Sequence, residues 1–309
     1  MNADSQIRQF LGSEEVILLD GAMGSELEAR GVDIGLPLWS ANALNTAPQT
    51  VRAVHADHLR AGADIITTNT FRTNRRALAK AGEERRWHDL NRIAVQLAYD
   101  ARQWYPIPRP VFIAGSIAPL EDCYSPELVP GPGELAAEHG EQAELLYRAG
   151  VDFILAETMI AVREVEALAR ACAETGAPFV MSFLCRDDAH LLSGEPLADA
   201  VAAALPYNPA AFSLNCIHAR TAAGPLRTLR SLTALPIAVY ANTGDPLHPE
   251  AHPPAGPDEY AECAREWRSL GAKIIGGCCG TSPDHIAALR KAVKPRQSRF
   301  VQQSAQSGV

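Results

Sequence analysis

No stretch of this 309-residue sequence approaches the ~18 consecutive apolar residues of a membrane-spanning helix, and no run of lysine and arginine gives the footprint of a phosphate-backbone binder. The opening MNADSQIRQFLGSEE lacks the basic segment and apolar run of a secretory signal. Spaced CxxC-like pairs are missing too, so a structural zinc module has no ligands, and seven cysteines in a chain this large suit reduced thiols better than a disulfide framework. With 28 basic against 36 acidic residues the net charge is -8, which makes nucleic acid and anionic membrane poor partners. These absences predict a soluble, cytoplasmic protein acting on small molecules. The sequence is compatible with a homo-oligomer but does not set the oligomeric state.

What is present is an ordinary globular balance, 47% hydrophobic and 21% charged, and a recurring junction. AGADIITTN (61–69), AGVDFILAE (149–157) and LGAKIIGGC (270–278) each read as a helix end closed by glycine, followed by a strand buried on both faces. VILLD (16–20), VFIAGS (111–116), PFVMSF (178–183), AAFSLN (210–215) and PIAVYA (236–241) complete eight candidate strands. Between them lie helically spaced apolar positions, such as Val51, Val54 and Leu59, then Leu90, Ile93 and Leu97, then Val162, Val165 and Leu168. Eight alternating units with no linker predict a single α/β domain, a (β/α)8 barrel over residues 1–293, in preference to an open doubly wound sheet. The polar, aperiodic stretch from 294 to 309 is expected to be a disordered tail.

In such a barrel the chemistry lies at the carboxyl ends of the strands. There the sequence places Asp20, Thr68, Asn69, Ser116, Glu157, Ser182, Asn215, Cys216, Tyr240, Asn242, Cys278 and Cys279. A single serine, threonine or asparagine at a strand end is ordinarily a cap for the next helix, but the set as a whole exceeds that role. Adjacent cysteines on a regular strand point to opposite faces, so Cys278 and Cys279 can serve one ion only where the backbone leaves strand geometry, as the flanking glycines of GGCCG allow. With Cys216 they supply three thiolates and leave an open position, the signature of a catalytic rather than a structural zinc site. Buried free thiols, or a strained bond between the neighbours, are the plainer readings. Cys123, Cys172, Cys185 and Cys263 take that plainer reading, Cys172 and Cys263 as packing on helical segments. His218 is a rival ligand, and His248 and His252 are expected to be loop or lid residues.

These motifs resemble the zinc-dependent homocysteine S-methyltransferases, a family that includes the betaine and S-methylmethionine enzymes and the homocysteine module of methionine synthase. The resemblance runs from about residue 16 to 292 through LLDGAMGSELEARG, PLWSANAL, GADIITTNTF, LAET, SLNC, VYANTG and IIGGCCGT. It implies that Cys216, Cys278 and Cys279 ligate zinc, that Asp20 and Glu157 hold the amino group of homocysteine, and that Thr68, with Asn69 beside it, lines the same pocket. Asn242 matches an asparagine that fills the fourth zinc position until the substrate thiol displaces it. The implied reaction moves a methyl group from a small donor, S-methylmethionine or S-adenosylmethionine first, to homocysteine. Arg72 stands where the betaine enzyme has a tyrosine, and a cation there disfavours betaine; SFLC also departs from the family's SFT. Open alternatives are methyl transfer from a separate corrinoid protein, a zinc-bound-water hydrolase or lyase, and a thiol redox sensor without turnover.

Overall fold

A computed structural model describes residues 3–105, 107, 109–245 and 253–294. All eight expected strands are present: β1 (Ile17–Leu18), β2 (Ile65–Thr67), β3 (Phe112–Ile117), β4 (Phe153–Met159), β5 (Phe179–Phe183), β6 (Ala211–His218), β7 (Ile237–Asn242) and β8 (Ala272–Gly277). They pair in parallel in the order β1-β8-β7-β6-β5-β4-β3-β2. The two ends of this sheet meet through a parallel bridge between Leu19 and Ile65, so the sheet is a closed (β/α)8 barrel. The periodic segments are helices, Pro48–Ala61, Trp87–Trp104 and Val162–Thr175 among them. His248, His252 and the stretch after Lys294 lie outside the described residues. None of the described helices is long and apolar enough to cross a membrane.

Alternation along the strands divides the core in two. Ile17, Leu19, Phe153, Leu155, Val180 and Ile274 fill the barrel interior, whereas Leu18, Ile66, Ile154, Met181, Leu214 and Ile275 face the helices. Helix Ala3–Leu11, for which the sequence reading had no signal, sends Ile7 and Leu11 into the interior cluster.

The seam between β1 and β2 is short, and a buried carboxylate reinforces it. Asp64 accepts from the Leu18 backbone N–H (2.9 Å) and pairs with Arg109 (2.8 Å) and Lys294 (2.6 Å). Two seams further round, Tyr260, from helix Pro257–Ser269, inserts its hydroxyl between β7 and β8. It accepts from Ala241 N at 3.0 Å and lies within donating reach of the Ala241 and Gly276 carbonyls at 2.8 and 2.9 Å.

Candidate active site

Two strands break their ladders just below the rim. Register shifts fall between Ala156 and Met159 on β4 and between Asn215 and His218 on β6. Each break holds a non-glycine residue in the left-handed region, Thr158 at φ 62° and Cys216 at φ 56°. The turn in β6 redirects the Cys216 side chain: Asn215 Nδ2 lies 3.4 Å and Thr158 Oγ1 3.8 Å from its sulfur. Ser182 holds Asn215 by donating to its Oδ1 at 2.7 Å, a role for the serine of SFLC.

Strand β8 ends at Gly277, so Cys278 and Cys279 lie beyond it, as their shared direction requires. Gly276 permits β1 to approach β8, since a Cβ there would lie 2.6 Å from Leu19 Cβ. Cys278 N donates to Ala241 O (2.8 Å), and Gly280 closes the turn at φ 80°. The three sulfurs lie within 4.8 Å of one another, with those of Cys216 and Cys278 3.0 Å apart. Hydrogen bonding with Cys278 and Cys279, then burial, pushes the Cys216 thiol well up, while hydrogen bonds from Cys216 and Cys278 bring Cys279 down. Three thiols packed this tightly do not all ionise without a cation among them. A donor set of three sulfurs, with no histidine or carboxylate in it, fits zinc with one position left open.

Asn242 is placed differently from an inward-facing ligand. Its Nδ2 donates to Cys216 O and its Oδ1 accepts from Cys279 N, both at 3.0 Å, so in this structure its amide clamps the two cysteine segments together. His218, also buried, lies outside the three-residue cluster; its Nδ1 accepts from Arg220 N at 3.3 Å.

The other half of the rim is acidic. Asp20 accepts from Thr67 N (2.7 Å) and Thr67 Oγ1 (3.0 Å), and Glu157 accepts from Ser116 Oγ. Burial pushes Asp20 up to about 8 and Glu157 up to about 7; Glu157 adds to the first shift and Cys279 to the second. Both carboxyls are short of positive charge, and an ammonium brought between them restores the ionised state. Thr68 accepts from Ser116 N at 3.1 Å, and Asn69 donates to Ser40 O at 2.8 Å.

Asp20, Thr68, Asn69, Glu157 and the three cysteines line one cavity of about 530 Å3. Its floor is made of strand ends. Its wall comes from the loops after β1, β2 and β3, which contribute Trp39, Phe71, Arg72, Asp122, Cys123 and Tyr124. The sequence reading missed most of this wall and took Cys123 plainly as a free thiol. It is one, buried and lining the cavity, where burial pushes it up to about 12 against the opposing pull of Arg72. Loop residues carry no periodicity, so only the aromatic and charged content of PLWSA, TFRTN and EDCY signalled them.

The profile of the homocysteine S-methyltransferases matches residues 17–293. The chain belongs to that family. It is a methyltransferase, and methyl transfer to homocysteine is its reaction class. Homocysteine S-methyltransferase from Escherichia coli (strain K12) is 35% identical, over 94% of this chain and 99% of that protein. Homocysteine S-methyltransferase YbgG from Bacillus subtilis (strain 168) is 31% identical, over 91% and 95% respectively. The family also reaches selenium chemistry: a selenocysteine Se-methyltransferase from Brassica oleracea var. italica is 29% identical over 94% of this chain and 92% of its own length. Among solved structures, the metallated form of the homocysteine methyltransferase MmuM from Escherichia coli matches with a TM-score of 0.82 and 34% identity, covering 92% of this chain and 98% of that one. That relative was solved in a metallated form, and in this chain Cys216, Cys278 and Cys279 form a group able to hold a metal ion.

Proposed function

We propose that the protein is a zinc-dependent homocysteine S-methyltransferase using a small sulfonium donor, S-methylmethionine or S-adenosylmethionine. The observation that carries this reading is the convergence of the Cys216, Cys278 and Cys279 sulfurs within 4.8 Å, on the same cavity as Asp20 and Glu157. Cys216, Cys278 and Cys279 would hold the zinc, which when bound would supply the charge that keeps a substrate thiol deprotonated near neutral pH.

The chain's own residues do the remaining work. Asp20 and Glu157 take the substrate ammonium, with Thr67 and Ser116 fixing their carboxyls from behind. Thr68 and Asn69 bound the pocket beside them. In this reading Asn242 sets the distance between the two cysteine segments. With its amide engaged by both segments, Asn242 would leave the metal to be held by Cys216, Cys278 and Cys279. The wall of aromatic rings excludes water and aligns donor with acceptor, so that the sulfur attacks the methyl carbon in line. The new S–C bond forms as the donor's S–C bond breaks, and the electron pair returns to the donor sulfur. With S-methylmethionine both products are methionine.

The test is consumption of homocysteine thiol with methionine as product, against S-methylmethionine, S-adenosylmethionine, betaine and a carboxylated sulfonium. Turnover that disappears on chelation and in Cys278→Ala supports the reading. Homocysteine binding without turnover of any small donor points to a methyl-corrinoid protein as donor. A zinc-loaded protein that does not bind homocysteine overturns it.

A further inference from the structure

Homocysteine leaves part of this cavity unused, and the unused part has its own chemistry. The loop after β1 brings Trp39 and the loop after β2 brings Phe71, which meet edge-on with ring centroids 5.7 Å apart and planes at 73°. Trp39 is held at φ 49° with its ring packed over Gly24, a position that leaves no room for a Cβ there. Tyr124 adds a third aromatic from the loop after β3. Faces of this kind attract a sulfonium as they attract any soft cation.

Beside the rings stand two opposite charges. Arg72 is one residue past Phe71, and its guanidinium carbon lies 5.9 Å from that ring's centroid. Its charged partner among the described residues is Asp122, through one contact of 3.6 Å. That contact is too long for a bidentate fork and leaves guanidinium N–H groups available to a planar carboxylate. Asp122 is 46% exposed, and its loop is shaped to present it: Oδ1 accepts from Tyr124 N (3.3 Å) and Oδ2 from Ser125 Oγ (2.9 Å). Arg72, 16% exposed, also acts on the Cys123 thiol, which places its charge against the cavity. Among the described residues that line the cavity, Arg72 is the sole cation.

We infer that Arg72 and Asp122 form a second α-amino-acid subsite, which selects the methyl donor by its own free carboxylate and ammonium. Arg72 takes the carboxylate and Asp122 the ammonium, exchanging a weak mutual contact for two contacts with the ligand. The aromatic wall then holds the sulfonium. Both substrates thus enter as amino acids, one read on the floor by Asp20 and Glu157 and one on the wall by this pair. The inference rests on the sulfonium-donor reading above.

The experiment uses the zinc-loaded full chain and three donors that remove one feature at a time: S-methylmethionine, dimethylsulfoniopropionate, which lacks the ammonium, and trimethylsulfonium, which lacks both groups. The wild type is expected to prefer them in that order by kcat/KM. Arg72→Gln is expected to raise the KM for S-methylmethionine by roughly tenfold or more and to compress its selectivity over trimethylsulfonium by the same factor. Asp122→Asn should compress the selectivity over dimethylsulfoniopropionate, and Arg72→Lys should fall between Arg72→Gln and the wild type. Unchanged selectivity ratios in a wild type and variants that all turn over sulfoniums overturn the subsite and leave the donor reading standing. So does an effect of Arg72→Gln that falls on the KM of homocysteine instead of the donor. If the wild type turns over no sulfonium, the donor reading fails and the subsite with it.

Discussion

Replacing any one of Cys216, Cys278 and Cys279 by serine is expected to remove bound zinc and to lower kcat by at least about 10²-fold, because removing mere supporting partners of such ligands already costs about 10 to 100-fold. Metal content measured alongside turnover checks this: full zinc occupancy in a serine variant would sink the three-thiolate site. Asp20 and Glu157 make a separate prediction about protons. Both hold their protons to higher pH than usual because burial disfavours the charged form. An ammonium reverses that preference, so homocysteine binding near pH 7 is expected to expel protons from this pair. Calorimetry in buffers of different ionisation enthalpy measures the release, which should shrink in Asp20→Asn and in Glu157→Gln. Each variant should also raise the KM for homocysteine by roughly tenfold, the loss of one charge-assisted hydrogen bond.

At the scale of the elements, the site depends on where strands stop being strands. Cys216 is useful because β6 breaks its register beside it, and Cys278 and Cys279 share a direction because β8 ends at Gly277. Asn242→Ala removes both bonds that tie these two segments and is expected to lower zinc affinity by about 10 to 100-fold, read by competition with a chromogenic chelator. Gly280→Ala asks an L side chain to adopt φ 80° and should weaken metal binding through the turn. An affinity unchanged in both variants would show that the cysteines need no such support. This is also the scale at which the sequence was most and least legible. Eight apolar runs, each bounded by glycine or a polar residue, located every strand, since burial on both faces leaves an unbroken hydrophobic signature. GGCCG with Cys216 marked, through residue type alone, the three thiols that the fold brings together. The break at Thr158 had no such mark, because a left-handed threonine is forced by tertiary contacts. Asn242 was matched to a fourth ligand through the family resemblance alone, and its hydrogen bonds to backbone groups on either side could be read only from coordinates. That Cys123 borders the cavity was illegible for a related reason: a cysteine in a loop looks the same whether it faces a cavity or a core.

For the molecule as a whole, pH is expected to work against stability in the absence of metal and ligand. Asp20 and Glu157 have folded-state values of about 8 and about 7, above their ordinary values of 3.8 and 4.5. The folded chain therefore keeps protons that the unfolded chain releases. Their contribution is complete below about pH 4 and is lost as pH rises toward 8. Urea unfolding of the metal-free protein should show this decline, and an Asp20→Asn, Glu157→Gln double variant should flatten it. Zinc should raise the unfolding temperature by binding only the assembled site. The β1–β2 seam sets a second expectation: Asp64→Ala leaves Arg109 and Lys294 without their buried carboxylate and should cost about 3 to 5 kcal/mol. That clasp also has a consequence in time. One of its cations, Lys294, follows the last strand, and β1 pairs along its length with β8. During synthesis the pairing of the first strand with β8 must therefore wait until residues to about 277 have left the ribosome. Cys278 and Cys279 arrive just after that strand, so under the proposed function metal would be captured only by a closed barrel.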